Sequence, residues 1–64
     1  MDLIEGLQTE LVRCKELLKL YESIPTGHFG AAFLHSSIKR GETAIISGDI
    51  VEMTSAYAEL KDCE

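Results

Sequence analysis

The chain has 64 residues, enough for one domain but too few for a large core. Its 45% hydrophobic content excludes a disordered chain, and no apolar run approaches the roughly 20 residues of a membrane span. The net charge of −5 argues against non-specific binding to DNA or RNA, which depends on clustered Lys and Arg. Because a core of this size rarely supplies more than about 3–5 kcal/mol, we expect a disulfide, a metal or self-association to support it.

Residues 2–22 are predicted to form an amphipathic helix, with Asp2 and Glu5 in a capping box at its start. Apolar residues alternate at spacings of three and four, which is typical of an a/d seam in paired helices. The residues of this seam are Ile4, Leu7, Leu11, Cys14 and Leu18, followed by Tyr21. We predict that the seam joins copies of the chain, and a three-helix monomer is the alternative.

Residues 23–29 are predicted to form a loop, because Pro25 disfavours helical geometry at Ile24. A second helix is predicted over residues 27–47, with Thr26 as a candidate N-cap and with its start left open up to Gly30. Gly41 lies within the apolar stripe of this helix, where glycine costs stability. We therefore expect another helix to approach closely at Gly41.

A sharp corner is predicted at Ser47-Gly48-Asp49. Gly48 suits the left-handed position that ends a helix, and Asp49 with Glu52 forms a second capping box. A third helix is predicted over residues 49–61. The fold class is therefore all-α: one helical domain over residues 1–64, a helical hairpin plus a short third helix, assembling as a homo-oligomer.

The cysteines and histidines predict neither a metal site nor a cofactor. His28 and His35 stand seven residues apart, and no CxxC or HExxH occurs. Cys14 is interpreted as a core residue and Cys63 as a free thiol in the polar tail. A bridge between them would need an oxidant that the cytoplasm lacks, and the absence of an apolar signal segment before the first helix predicts a cytoplasmic protein.

The loop that opens the second helix is a candidate anion site, because a helix N-terminus offers unsatisfied N–H groups and the positive end of its dipole. The residues concerned are Thr26, Gly27, His28, Phe29 and Gly30. Tyr21, near the end of the first helix, is a candidate stacking surface or else a core residue. The alternative is a plain turn in which Phe29 fills the core.

The polar side of the second helix carries the chain's adjacent basic pair, Lys39-Arg40, with His35 one turn before Lys39. In an oligomer these residues are candidates to line a basic cleft for an anion. The alternative is a solvated face in which Glu42 pairs locally with Lys39. No enzyme is predicted, because Ser36 and Ser37 splay away from His35 on a helix and no nucleophile, base and orienting group come within mutual reach.

The stretch from Tyr21 to Leu60 resembles short proteins encoded by phages and prophages of Gram-negative bacteria. The resemblance rests on Gly27, Phe29-Gly30, the Ser47–Asp49 corner, Met53, Tyr57 and Leu60-Lys61. In size, acidity and hairpin shape the chain also resembles small phage anti-defence proteins, some of which are helical oligomers that sequester cyclic-nucleotide signals. It departs from them in its few basic residues.

This resemblance implies stoichiometric sequestration, in the host cytoplasm, of a small anionic ligand such as a nucleotide, or of a host protein. The alternative function is a structural or assembly module that mediates only helix–helix contacts. A ligand-binding protein should bring the loop and the Lys39/Arg40 patch together across subunits, whereas an assembly module should present a broad apolar groove.

Overall fold

A computed structural model describes residues 2–63, which fold into three α-helices. Helix α1 spans Leu3–Glu22, α2 spans His28–Ser47 and α3 spans Ile50–Lys61. Each helix begins one residue later than the sequence pattern places it and ends at the expected residue. Leu11 lies beside Gly41, and the Tyr21 ring lies beside Gly30, so α1 and α2 form an antiparallel hairpin. No helix within residues 2–63 is long and apolar enough to cross a membrane.

The predicted N-caps Asp2 and Asp49 and the corner are confirmed, but the second bond of a capping box is not formed at Asp49, whose N–H donates to the Ser47 hydroxyl at 3.2 Å and not to Glu52. The Asp2 carboxylate accepts a hydrogen bond from the Glu5 backbone N–H at 2.7 Å. Asp49 accepts from the N–H of Val51 at 2.9 Å and from that of Glu52 at 3.2 Å. Gly48 has a φ of 71°, the left-handed conformation that ends α2. Side-chain caps therefore set the starts of α1 and α3.

The prediction of Thr26 as the N-cap of α2 is wrong. Gly27 is the N-cap, and no side chain caps this helix. The Gly27 N–H donates to the Ile24 carbonyl at 2.9 Å, which closes a tight turn after α1. A Cβ atom at position 27 would overlap the Tyr21 carbonyl oxygen. The close return of the chain therefore requires glycine at this position and leaves Thr26 exposed in the loop.

All three helices contribute to one core. Its buried side chains are Leu7, Leu11 and Cys14 from α1, Leu34, Ile38 and Ala44 from α2, Met53, Ala56 and Leu60 from α3, and Cys63 after it. The helices meet at Gly41, where an added Cβ would lie 3.0 Å from side-chain atoms of both Leu11 and Leu60. The expected close approach at Gly41 is therefore confirmed, and it involves both neighbouring helices.

The assignment of the α1 seam to an oligomer interface is corrected. Leu7 and Cys14 are fully buried in the core of a single chain, and Leu11 is 6% exposed. Leu18 is partly buried against the same core, whereas Ile4 remains 45% exposed. A second chain would reach the buried members only by displacing α2 or α3. Self-association stays a prediction, and it requires a different surface.

Candidate functional site

A groove of about 440 Å³ runs between α1 and α2 at mid-hairpin, and we call it the α1–α2 groove. Its lining residues are Lys15, Leu18, His35, Ile38, Lys39 and Glu42. Lys15 and Lys39 bring two ammonium groups to one side of an acidic chain, and Glu42 is the one carboxylate of this lining. Leu18 and Ile38 contribute apolar surface. The groove therefore combines cations with an apolar wall.

Helix geometry explains how these residues meet. His35 and Lys39 lie on one face of α2 because they are four residues apart. The antiparallel register places Leu11 at Gly41, so Lys15, one turn further along α1, faces the preceding turn of α2. Spacing along α2 predicts His35 and Lys39 as site residues, whereas nothing in the local pattern predicts Lys15, which is distant in sequence. The signal that could have identified it was the register set by Gly41.

The local ion pair between Lys39 and Glu42, which the sequence left as an alternative, does not form. The Glu42 carboxylate accepts from the Lys15 ammonium at 3.0 Å across the hairpin, and so it does not pair with Lys39 on its own helix. Lys39 makes no ion pair to any residue from 2 to 63. Its ammonium is therefore open to a ligand.

Arg40 faces α3, away from the α1–α2 groove. Its guanidinium donates to Glu59 at 3.2 Å and to the Ser55 hydroxyl at 3.1 Å, and it lies 3.9 Å from the Glu52 carboxylate. Arg40 also lines a second groove of about 620 Å³ between α2 and α3, together with Lys39, Asp49 and Glu52. Two carboxylates offset the charge of Arg40, so it ties α2 to α3 and is less available to an anion.

The first turn of α2 exposes a large aromatic ring. Phe29 is 86% exposed, so the alternative in which it fills the core is wrong. The Phe29 ring contacts the ring of the exposed His28 in a tilted arrangement, with the ring centroids 5.6 Å apart. Phe29 therefore remains available for contact with another molecule, and the α2 N-terminus beside it has no side-chain cap.

Tyr21 packs against the first turn of α2. The Cβ position of Gly30 lies 3.6 Å from the Tyr21 ring, and the ring is partly buried against the core. Tyr21 and Gly30 also line a small groove of about 220 Å³ with Phe33 and Cys63. One face of the ring is thus covered within the chain. The core interpretation of Tyr21 fits this geometry, and stacking on a ligand stays a prediction.

The loop and the basic residues do not meet within one chain. Lys39 lies eleven residues after His28 on α2, a separation of about 16 Å along the helix axis. The loop candidates Thr26–Gly30 and Tyr21 therefore lie at one end of the hairpin, and His35 and Lys39 lie at its middle. One small ligand that touches both places requires a second copy of the chain.

Comparisons with protein-family profiles, curated proteins and solved structures find no match to this chain. Among residues 2–63, no three His, Cys, Asp or Glu side chains are placed to hold a metal ion. The choice of site therefore rests on geometry and charge, and both favour the α1–α2 groove.

Proposed function

We propose that this protein is a non-enzymatic binding protein that sequesters a small anionic, nucleotide-like ligand stoichiometrically, as a phage-encoded accessory or anti-defence factor. The observation that carries the proposal is the open ammonium of Lys39 beside Lys15 in the α1–α2 groove. A host protein that presents an acidic group is the other ligand this site would accept.

Charge supports an anion as the ligand. The chain carries eleven carboxylate residues against six Lys and Arg, so most of its surface repels anions. Lys39 offers three donors without the loss of an ion pair. Lys15 would exchange Glu42 for the ligand at a small cost, because exposed ion pairs contribute roughly 0–1 kcal/mol. Arg40 would have to leave Glu59 and Ser55, which makes it the weaker candidate.

Shape supports a ligand of nucleotide size. The groove volume of about 440 Å³ falls within the range of roughly 300–1,000 Å³ that small-molecule sites occupy. Leu18, which is only partly buried, offers apolar surface to one face of a base above the buried Ile38, while Lys15 and Lys39 hold the phosphate. His35 adds an imidazole ring, of which one nitrogen donates a hydrogen bond and the other accepts one in the neutral form.

The proposal includes a homo-oligomer, and an exposed apolar end supports it. This apolar end comprises Ile4, Ile46, Ile50 and Val51, which are 45%, 86%, 68% and 74% exposed. They gather where α1 begins, α2 ends and α3 begins. Ile4 and Ile50 line one groove there, while Ile46 lines another beside Val12. Exposed apolar surface marks interaction sites, and a two-fold contact lets one surface cover its own copy. A second copy therefore buries the surface that the small core leaves exposed.

The same apolar end favours the second candidate function, an assembly module without a ligand. This function requires self-association or partner binding through Ile46, Ile50 and Val51, and no response to anions. The two functions differ in one property: only the sequestering protein gains stability from a nucleotide.

Thermal unfolding against a panel of mono-, di- and cyclic nucleotides tests the proposal. A ligand at about 100 times its Kd stabilises the native state by about 2.7 kcal/mol, which raises the melting temperature by several degrees. The matched nucleosides, which have the same bases without phosphate, should produce no shift. A panel in which no nucleotide exceeds its nucleoside would contradict sequestration and favour the assembly module.

A further inference from the structure

Cys14 and Cys63 meet in the core although 49 positions separate them. Cys14 is fully buried in α1, and Cys63 is 6% exposed in the turn that follows α3. The Cys14 thiol donates to the Leu60 carbonyl and the Cys63 thiol to the Glu59 carbonyl, each at 3.4 Å. The two thiols are thus held on the carbonyls of two consecutive residues at the end of α3, which places them side by side. Cys63 is a free thiol, as the sequence predicts, but the predicted position in a polar tail is wrong because the thiol is buried.

Arg13 fixes the chain around the two thiols. Its guanidinium donates to the carbonyl of Cys63 at 2.9 Å and to that of Leu60 at 2.7 Å. These two bonds run from α1 to the end of α3, and Glu10 holds the same guanidinium at 2.9 Å. The segment that carries Cys63 is therefore held against the turn of α1 that carries Cys14.

We infer that Cys14 and Cys63 form a redox pair, which closes to an intrachain disulfide when the chain meets a small-molecule disulfide such as oxidised glutathione. The Cys63 thiolate attacks one sulfur of the reagent and forms a mixed disulfide, releasing one glutathione thiolate. Cys14 then attacks the Cys63 sulfur and releases the second. The two protein thiols lose two electrons and two protons, and the reagent gains them as two molecules of reduced glutathione.

The surroundings assign the order of these two steps. Cys63 lines the small groove beside Tyr21, Gly30 and Phe33 and lies outside any helix, so a movement of the turn after α3 is enough to bring its buried sulfur to a reagent. Cys14 has no exposed surface. Burial raises the pKa of the Cys14 thiol, with Arg13 opposing the shift, so Cys14 is protonated at neutral pH and passes its proton to the departing glutathione sulfur when it attacks Cys63.

The disulfide would stabilise the fold. It links the middle of α1 to the segment after α3, and so it closes a loop that contains most of the chain. A long closed loop restricts the unfolded chain strongly, and in a domain of this size we expect a melting temperature higher by roughly 10 °C or more. This device does not depend on the α1–α2 groove or on a ligand.

The test incubates the full chain with defined ratios of oxidised to reduced glutathione, blocks remaining thiols and measures intact mass. We expect a monomer-mass species that has lost two hydrogen atoms and takes up no blocking group, with a higher melting temperature that a reductant reverses. Two blockable thiols at every ratio, or disulfide-linked dimers, would overturn the inference.

Two variants test whether the intrachain disulfide joins Cys14 to Cys63. Cys14→Ala should stop at the mixed disulfide on Cys63, and Cys63→Ser should form no intrachain bond and show a melting temperature independent of the oxidant. Cys63→Ser removes no helical residue, so it keeps the test valid if Cys14→Ala fails to fold. An unchanged oxidant response of Cys63→Ser would also overturn the pair.

Discussion

The Lys15 ammonium and the Glu42 carboxylate lie 3.0 Å apart across the α1–α2 hairpin. This pair removes from Lys39 the carboxylate that its own helix would offer at a spacing of three residues. The result is one neutralised and one open ammonium group on the same groove. The arrangement makes the groove, and not the adjacent pair Lys39-Arg40, the preferred place for an anion.

Glu42→Gln should strengthen anion binding. The change frees Lys15 and removes the carboxylate of the α1–α2 groove that repels an incoming phosphate. Stability should fall by no more than about 1 kcal/mol, because both side chains are half exposed. Glu16→Gln, which releases Lys19 outside the groove, is the matched control. Equal affinities of the two variants in a nucleotide titration would place the ligand elsewhere.

Gly41→Ala should destabilise the fold by about 1 kcal/mol. The added methyl group lies 3.0 Å from both Leu11 and Leu60, and overpacking of this kind costs about 1–3 kcal/mol, which exceeds the gain of about 1 kcal/mol in helix propensity. Gly30→Ala is the control, since its Cβ meets Tyr21 at an ordinary 3.6 Å. Urea unfolding should show opposite signs for the two variants. A stabilised Gly41→Ala would mean that the helices do not meet there.

Gly48→Ala should destabilise the fold by about 1–2 kcal/mol. No atom lies within 4 Å of the Cβ position, so the cost comes only from the left-handed backbone at φ 71°. Gly48→Val should cost more, and Gly48→Asn should cost least, because asparagine tolerates this conformation best. Thermal unfolding that ranks all three variants equal to the native chain would show that α2 and α3 are not separated by this corner.

Asp49→Ala should cost about 1 kcal/mol through the loss of the α3 cap. Asp49→Asn keeps an acceptor oxygen at the same position and should remain close to the native chain. Chemical unfolding measures both. A cost for Asp49→Asn equal to that for Asp49→Ala would assign the effect to charge and not to the hydrogen bonds.

Val51→Lys should dissociate the oligomer if copies join through the apolar end. Val51 is 74% exposed, so the substitution leaves the core of one chain intact. Phe29→Lys, at the opposite end of the hairpin and 86% exposed, is the control. Sedimentation at micromolar concentration should show a smaller species for Val51→Lys alone. A native chain that sediments as a 7.1 kDa monomer would contradict self-association itself.

Leu11→Asp should unfold the protein and not merely separate its copies. Leu11 is 6% exposed at the point where three helices meet, so an unpaired carboxylate there should unfold the single chain. Circular dichroism should show lost helix. A helical but monomeric Leu11→Asp variant would restore the interface role of the α1 seam.

Local rules in the sequence predicted the helices well. Asp2, Gly48 and Asp49 act through neighbours within four residues, so their roles follow from the order of residues alone. The prediction of Thr26 as the N-cap is wrong because the cap position is decided by the short distance between the backbone of residue 27 and the Tyr21 carbonyl, which only glycine allows. That distance belongs to the tertiary fold and has no local signal.

The partners of the seam could not be predicted in the same way. A regular apolar stripe on α1 looks the same whether its partner is another chain or α2 and α3 of its own. The pairing of Lys15 with Glu42, and the position of Cys63 beside the turn of α1 that carries Cys14, depend on which residue of α1 faces Gly41, and the sequence marks Gly41 as a close approach without naming its partner. The proposals for the α1–α2 groove and for the redox pair depend on these two tertiary arrangements. Neither proposal could therefore be made from the sequence pattern alone.

Titration calorimetry of the best-stabilising nucleotide against Lys39→Ala and Lys19→Ala tests the central claim most directly. Both variants remove one exposed lysine, and only Lys39 lines the α1–α2 groove. We predict at least a tenfold loss of affinity for Lys39→Ala, about 1.4 kcal/mol, with unchanged binding by Lys19→Ala and similar melting temperatures of the two ligand-free variants. Equal affinity of Lys39→Ala and the native chain would contradict the account.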